Sequence, residues 1–250
     1  MKKKSPVTTI LIVLGCFLTV VLAVLALSPF FQKVFTVEVA KMQEPEEKPD
    51  PVLKAPEEVP VTVYYMMEDN SKKISGIYIE VFPLGEDTVL YVEVPVDTRV
   101  NLSEDLYKSL QAYAPELPQY LKLSNMAEGF SAEYGLTGCN RILSEVIGYS
   151  FAEYVRTDEN AMTQWLALLN GDKTDTGFFY AYDMWLKKTD SSRTSGERWM
   201  LYESRQQIKE VITEQAPGNR EKDGYLLYGK QTKERLEEAV LRRNVKKEQE

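Results

Sequence analysis

Apolar and polar side chains alternate in three short runs between residues 61 and 100, and this two-residue period predicts β-strands. The runs are Val61 to Met67, Ile74 to Phe82, and a third from Thr88 that reaches Pro95. In the second, Ile77, Ile79 and Val81 share one face, with Tyr78 and Phe82 opposite. In the third, Val89, Tyr91 and Glu93 alternate with Leu90, Val92 and Val94. Both of its faces are mostly apolar, as expected of an inner strand covered on two sides. Pro95 cannot donate to a ladder, so the strand stops there and leaves Asp97, Thr98 and Arg99 beyond its carboxyl end. Polar turns at residues 68–73 and 84–87 join the runs, which suits an antiparallel or mixed start to a sheet.

The period lengthens after Arg99. Ser103 caps a predicted helix that carries Leu106, Leu110 and Tyr113, with Glu104 and Asp105 in its first turn, where the helix dipole favours acids. Pro115 and Pro118 end it. A second helix opens near Thr137 or Asn140, aligns Ile142, Leu143, Val146 and Ile147, and stops at Gly148. Phe151 to Val155 reads as a short strand, and Asp158 caps a helix from Ala161 to Leu169. The aromatic run Phe178 to Leu186 fits either strand or helix, and residues 190–196 read as a polar loop. Arg198 to Gln215 reads as one helix on the spacing of Met200, Ile208, Val211 and Ile212, and Lys230 to Arg243 as a last one. The expected fold is α/β, a central mixed sheet flanked by helices.

The N-terminus follows a different rule. Lys2, Lys3 and Lys4 precede an uncharged stretch whose apolar heart runs from Ile10 to Leu27, long enough for about 20 helical residues across a bilayer. A cleaved signal peptide is the competing reading, but its apolar region is usually shorter, about 7–15 residues, and ends at a small-residue site. The leading lysines keep the N-terminus cytoplasmic and put the rest outside, so the expected location is a plasma membrane with a single-pass anchor. Residues 38–60 hold five prolines and seven acids against three lysines, a composition that resists folding and stays extended. The expected organisation is a basic tail (1–9), a transmembrane helix (10–31), an acidic Pro-rich linker (32–60), an extracytoplasmic α/β domain (61–243) and a charged tail (244–250).

Composition removes several chemistries. The chain has no histidine, which excludes Ser-His-Asp and Cys-His catalysis and His-ligated zinc. Its two cysteines, Cys16 and Cys139, exclude a Cys-rich metal site, and Cys16 lies inside the apolar N-terminal run. A net charge of −8 argues against nucleic acid as a partner.

Three short motifs resemble those of the LytR-CpsA-Psr (LCP) family of cell-envelope proteins. Residues 89–100, VLYVEVPVDTRV, look like that family's strand ending in Ser-Ile-Pro-Arg-Asp-Thr. Residues 142–158, ILSEVIGYSFAEYVRTD, are similar to its helix followed by a Tyr-containing strand, and Arg205-Gln206-Gln207 resembles the Arg-Gln pair of its late helix. The likeness spans roughly Val61 to Glu214. It implies an anchored outer domain acting in cell-wall biogenesis. The family moves glycopolymers from a polyprenyl pyrophosphate carrier to peptidoglycan, with arginines on the pyrophosphate and acids holding magnesium. On that resemblance Asp97, Thr98, Arg99, Arg205 and Gln206 are the candidate phosphate-binding residues, and no catalytic residue or metal ligand is assigned.

The departures from the family pattern are charged positions. Val96 stands where an arginine precedes the Asp, and Met184 and Leu186 stand where Ala-Tyr-x-Arg-x-Arg has its guanidiniums. The acid expected early in the second strand falls near Ser75-Gly76, and the Gly-Gly-Val expected after Leu169 is missing. The expectation is therefore a domain that binds a polyprenyl-linked glycan or an envelope protein, with its transferase chemistry weakened or lost. The alternative is an active phosphotransferase whose pocket is rebuilt from other arginines, Arg99, Arg141, Arg156, Arg193 and Arg198 among them; only that alternative calls for magnesium.

Overall fold

The computed structural model describes residues 61–247, apart from 69–70, 83–86, 132–133, 172 and 174. The basic tail, the expected transmembrane helix, the linker and the last three residues of the charged tail lie outside the described residues. Among those described, no helix is long and apolar enough to cross a membrane.

The described residues open with β1 (Val61–Met67), β2 (Ile74–Val81) and β3 (Thr88–Glu93), with β2 antiparallel to β1 and β3 antiparallel to β2. Beyond Pro95, β4 (Arg99–Asn101) pairs with β5 (Tyr120–Lys122) around α1 (Glu104–Gln111), whose first turn is closed by the Ser103 hydroxyl accepting from Leu106 N. Helix α2 (Gly135–Ile147) ends on Gly148, which takes a left-handed conformation at φ 74° that other residues resist. Then come β6 (Glu153–Thr157), α3 (Glu159–Asn170) capped by Asp158, α4 (Asp175–Lys188) and β7 (Asp190–Ser191). Two short helices, α5 (Ser195–Met200) and α6 (Tyr202–Gln206), lead to β8 (Glu210–Gln215). The hairpin β9 (Gly218–Glu221) and β10 (Gly224–Leu227) precedes the closing helix α7 (Gly229–Lys247).

Six strands form one mixed sheet in the order β7-β6-β1-β2-β3-β8, with β6 parallel to β1 and β8 parallel to β3. Successive side chains of a strand point to opposite faces, so each inner strand feeds two cores. Val63, Tyr65, Ile77, Ile79, Leu90 and Val92 pack with Ile142 and Leu143 of α2 and with Leu236 and Val240 of α7. Tyr64, Phe82, Val89 and Tyr91 pack on the other face with Trp165 of α3 and with Phe178, Tyr182 and Trp185 of α4. The predicted α/β class and the doubly covered third strand are what the structure has.

Some elements differ from the sequence expectation. The single helix predicted over Arg198 to Gln215 is instead α5, α6 and the strand β8, which runs beside β3 from Thr88↔Glu210 to Glu93↔Gln215. The spacing of Ile208, Val211 and Ile212 imitates a helix face, but Val211, Ile212 and Thr213 are three consecutive β-branched residues suited to a pleated surface. The ambiguous run Phe178 to Leu186 lies within α4. The stretch predicted as a polar loop supplies β7 and the start of α5. The strand predicted at Phe151 begins at Glu153.

Candidate functional site

Glu80 lies on β2 between Tyr78 and Phe82, on the face that α3 and α4 cover, and has no exposed surface. A carboxylate there is very costly unless it is paired and hydrogen-bonded. Its partner comes from a distant part of the chain. Thr194 and Glu197 close a capping box that fixes the start of α5, and Leu201 carries the backbone on into α6. That path turns Arg205, 3% exposed, onto the sheet.

The Arg205 guanidinium grips Glu80 at both oxygens, Nη1 donating to Oε2 at 2.9 Å and Nη2 to Oε1 at 2.6 Å. The Tyr64 hydroxyl donates to Oε2 at 3.0 Å, and the Tyr91 hydroxyl donates to the same oxygen. Trp165 Nε1 donates in turn to the Tyr91 hydroxyl at 2.9 Å. Aromatic faces close over the cation, with Arg205 4.7 Å from the Phe82 ring centre and 5.1 Å from that of Trp165. Burial alone would raise the Glu80 pKa, but the Arg205 charge and the hydrogen bonds from Arg205, Tyr91 and Tyr64 outweigh it and hold the carboxyl below its ordinary value. Burial disfavours the Arg205 charge as well, and Glu80 overcomes that and pushes its pKa well up. The Tyr64 and Tyr91 hydroxyls are pushed up by burial and then by the Glu80 charge. The result is a buried ion pair with both carboxylate oxygens occupied.

Around this pair the space is aromatic. Trp165 and Trp185 stack with ring centres 4.0 Å apart, and Tyr182 and Phe178 continue the layer. Leu186, at one expected guanidinium position, is buried in this core. Met184, at the other, is half exposed and lines a groove of about 370 Å³ between α3 and α4. Trp165, Leu168, Ala181 and Trp185 supply the groove's apolar walls, and Gln164 and Lys188 its polar groups.

The other candidate residues gather on the β9–β10 hairpin. Asp97 pairs with Arg220 at 2.7 Å, and its backbone oxygen accepts from Tyr225 N. Gly224 (φ 150°) allows that approach, since a Cβ there would stand 2.5 Å from the Asp97 oxygen. Thr98 is buried, its hydroxyl donating to the Pro95 oxygen at 2.6 Å. Arg99 binds Glu221 and reaches Asp223 at 4.0 Å. Gln206 follows Arg205 at the end of α6, half-buried. Among the described residues Arg205 shares no ion-pair partner with Asp97 or Arg99. Glu80 is the residue that sequence reasoning missed. The signal was an acid between Tyr78 and Phe82 on one strand face, a position that demands a cation.

Magnesium, which the family resemblance implies for transfer, is usually held by one or two carboxylates together with waters and substrate phosphates. Among the described residues no three acidic or thiol side chains form a group that could hold a metal ion. Both oxygens of Glu80 are engaged, and Asp97 is held by Arg220.

No protein-family model matches the sequence. No curated protein matches it either. Among solved structures, the protein gbs0355 from Streptococcus agalactiae is similar at a TM-score of 0.52 and 7% identity, over 73% of this chain and 88% of that one. The LytR-CPS2A-psr family protein TagT (YwtF) of Bacillus subtilis, solved with bound octaprenyl pyrophosphate lipid, scores 0.49 at 14% identity, over 75% and 92%. TagV of B. subtilis scores 0.49 at 11% identity, over 75% and 98%. At 7% identity the likeness to gbs0355 is one of fold.

Proposed function

We propose that this chain is an LCP-like protein of the cell envelope, anchored by residues 10–31 with its α/β domain outside the cytoplasm, which binds a polyprenyl-linked glycan and does not transfer it. One observation carries the proposal: Arg205, the arginine of the family-like Arg-Gln pair, is consumed by Glu80 inside the fold. A guanidinium used bidentately on a buried carboxylate has no comparable grip left for a pyrophosphate. The groove beside it supports the same reading. Where the resemblance calls for cationic side chains, Met184 lines an apolar groove of about 370 Å³ and Leu186 is buried in the aromatic core. The groove falls in the usual range for small-molecule sites, and its lining suits a prenyl chain.

The test is binding of a fluorescent polyprenyl phosphate by the full-length protein in detergent micelles. Binding should saturate, and Met184→Asp should weaken it about tenfold or more, because an unpaired carboxylate would then face the prenyl chain. Met184 is half exposed, so that variant keeps its fold. No binding, or binding indifferent to Met184→Asp, would overturn the proposal. Protease digestion of whole cells tests the topology, with the C-terminus expected to be accessible from outside.

A further inference from the structure

Helix α4 has one face that folding requires: Phe178, Tyr182, Trp185 and Leu186 fill the core behind the sheet. Its outer side is apolar as well, which folding does not require. Tyr180 and Met184 stand one turn apart on that side, 65% and 53% exposed, and Phe179 beside them is half exposed. Helix α5 extends the patch. Its buried residue is Arg198, so Met200, about 200° further round the helix, faces outward and is 81% exposed. Aromatic rings join the two helices into one surface. The Phe179 ring centre lies 5.7 Å from that of Tyr180 and 5.4 Å from that of Trp199, and Trp199 lies 5.5 Å from Tyr202.

Contiguous exposed apolar surface marks a place where something docks. Charge adds little here, since Asp183 and Lys187 pair with each other at 2.6 Å and Glu197 is turned back onto Thr194 in the capping box. Three observations point to lipid as the occupant. Trp and Tyr favour a membrane–water interface, where the ring meets apolar chains and its N–H or O–H stays hydrated. The patch runs into the apolar groove between α3 and α4, since Met184 belongs to both and Lys188, one turn on, is at the groove. The chain also enters the domain close by. Residue 60 leads into Val61 of β1, and Thr62 lines one small cavity together with Leu201, the residue after Met200.

We infer, on the anchored and prenyl-binding reading above, that this face of α4 and α5 rests on a lipid bilayer. Tyr180, Met184, Trp199 and Met200 are set among the headgroups, and the groove opens there, so a prenyl chain passes from membrane to groove without crossing water. Apolar burial holds the contact, which therefore persists in salt, unlike one made by lysines.

The experiment is quenching of intrinsic tryptophan fluorescence in the full chain, reconstituted into phosphatidylcholine vesicles with part of the lipid brominated near the headgroup end of its acyl chains. Of the three tryptophans, Trp165 and Trp185 are buried and Trp199 is the half-buried one on the patch. Brominated lipid should quench the emission equally in low and high salt, and Trp199→Phe should remove most of that quenching. Tyr180→Glu combined with Met200→Glu, at two exposed positions where the fold tolerates a charge, should reduce it several-fold. No quenching in protein that floats with the vesicles through alkaline carbonate would overturn the docked face and leave the anchor standing. Quenching undiminished by Trp199→Phe would come from Trp165 and Trp185, which line the groove; lipid would then occupy the groove, and the docked face would be wrong. Protein that does not float would count against the anchor and the docked face together. A doubled mass by light scattering in detergent, with no quenching in vesicles, would make a second copy of the chain the occupant in place of lipid.

Discussion

Removing Arg205 should reverse the sign of the protein's pH dependence in acid. In the unmodified protein the Glu80 carboxyl is held below its ordinary value, so the pair's stabilisation is present above the unfolded pKa, about 4.5, and is lost as pH falls through the lower folded value. Arg205→Met takes away two charge-assisted hydrogen bonds and leaves a carboxylate with no exposed surface and only the two tyrosine hydroxyls. Breaking a buried pair by deleting one partner typically costs about 3–5 kcal/mol, a large fraction of the roughly 5–15 kcal/mol that holds a protein folded. Without the cation, burial governs Glu80 and its folded pKa rises above 4.5. That variant is then most stable below the unfolded pKa and loses stability as pH rises, opposite to the unmodified protein. Adding Glu80→Gln keeps an acceptor for Tyr64 and Tyr91 and removes the charge. The double variant should recover about 1–3 kcal/mol at neutral pH and titrate little at this site. Urea unfolding at several pH values between about 2.5 and 7 measures all three across the window below 4.5, with Trp165, beside both Arg205 and Tyr91, as the fluorescent reporter. A cost below about 1 kcal/mol for Arg205→Met at neutral pH, or a slope parallel to that of the unmodified protein, would refute the reasoning.

Other substitutions separate buried from exposed roles. Tyr149 is 2% exposed, its hydroxyl has no partner, and burial followed by the Glu237 charge pushes its pKa up to about 12. Tyr149→Phe should therefore be neutral or stabilising by about 1 kcal/mol in urea unfolding, and should remove its share of the stability lost as pH rises above 10. Asp97→Ala removes an ion pair whose Arg220 side chain is 68% exposed, so its unfolding free energy should change by less than about 1 kcal/mol. Restoring a cation at Leu186 by Leu186→Arg buries an unpaired charge and should lower Tm by several degrees, whereas Met184→Arg on the half-exposed groove wall should leave Tm nearly unchanged.

Much of this fold could be read from local pattern. The alternation through Ile77, Ile79 and Val81 sets one face of β2, and Ser103 and Asp158 cap the helices they were expected to cap. What the pattern hid was set by distant partners. Residues 210–215 become a strand because β3 offers a free edge to pair with, and the local spacing of Ile208, Val211 and Ile212 contains no trace of that edge. The candidate site shows the same division. Arg205 was visible as half of an Arg-Gln pair, but its use is fixed by Glu80, 125 residues earlier in the chain. Asp97 and Arg99 were visible at a strand end, and only the hairpin that folds back from residues 218–227 determines which charges they meet.

On the function proposed above, the fold turns Arg205 inward onto Glu80 and holds a glycolipid without reacting with it. The direct measurement is transfer of a labelled glycan from a polyprenyl pyrophosphate carrier to peptidoglycan by the full-length protein with magnesium, beside a transferring LCP enzyme as control. Carrier binding should be retained, with transfer no faster than a protein-free blank. Magnesium-dependent transfer above that blank would contradict the proposed function.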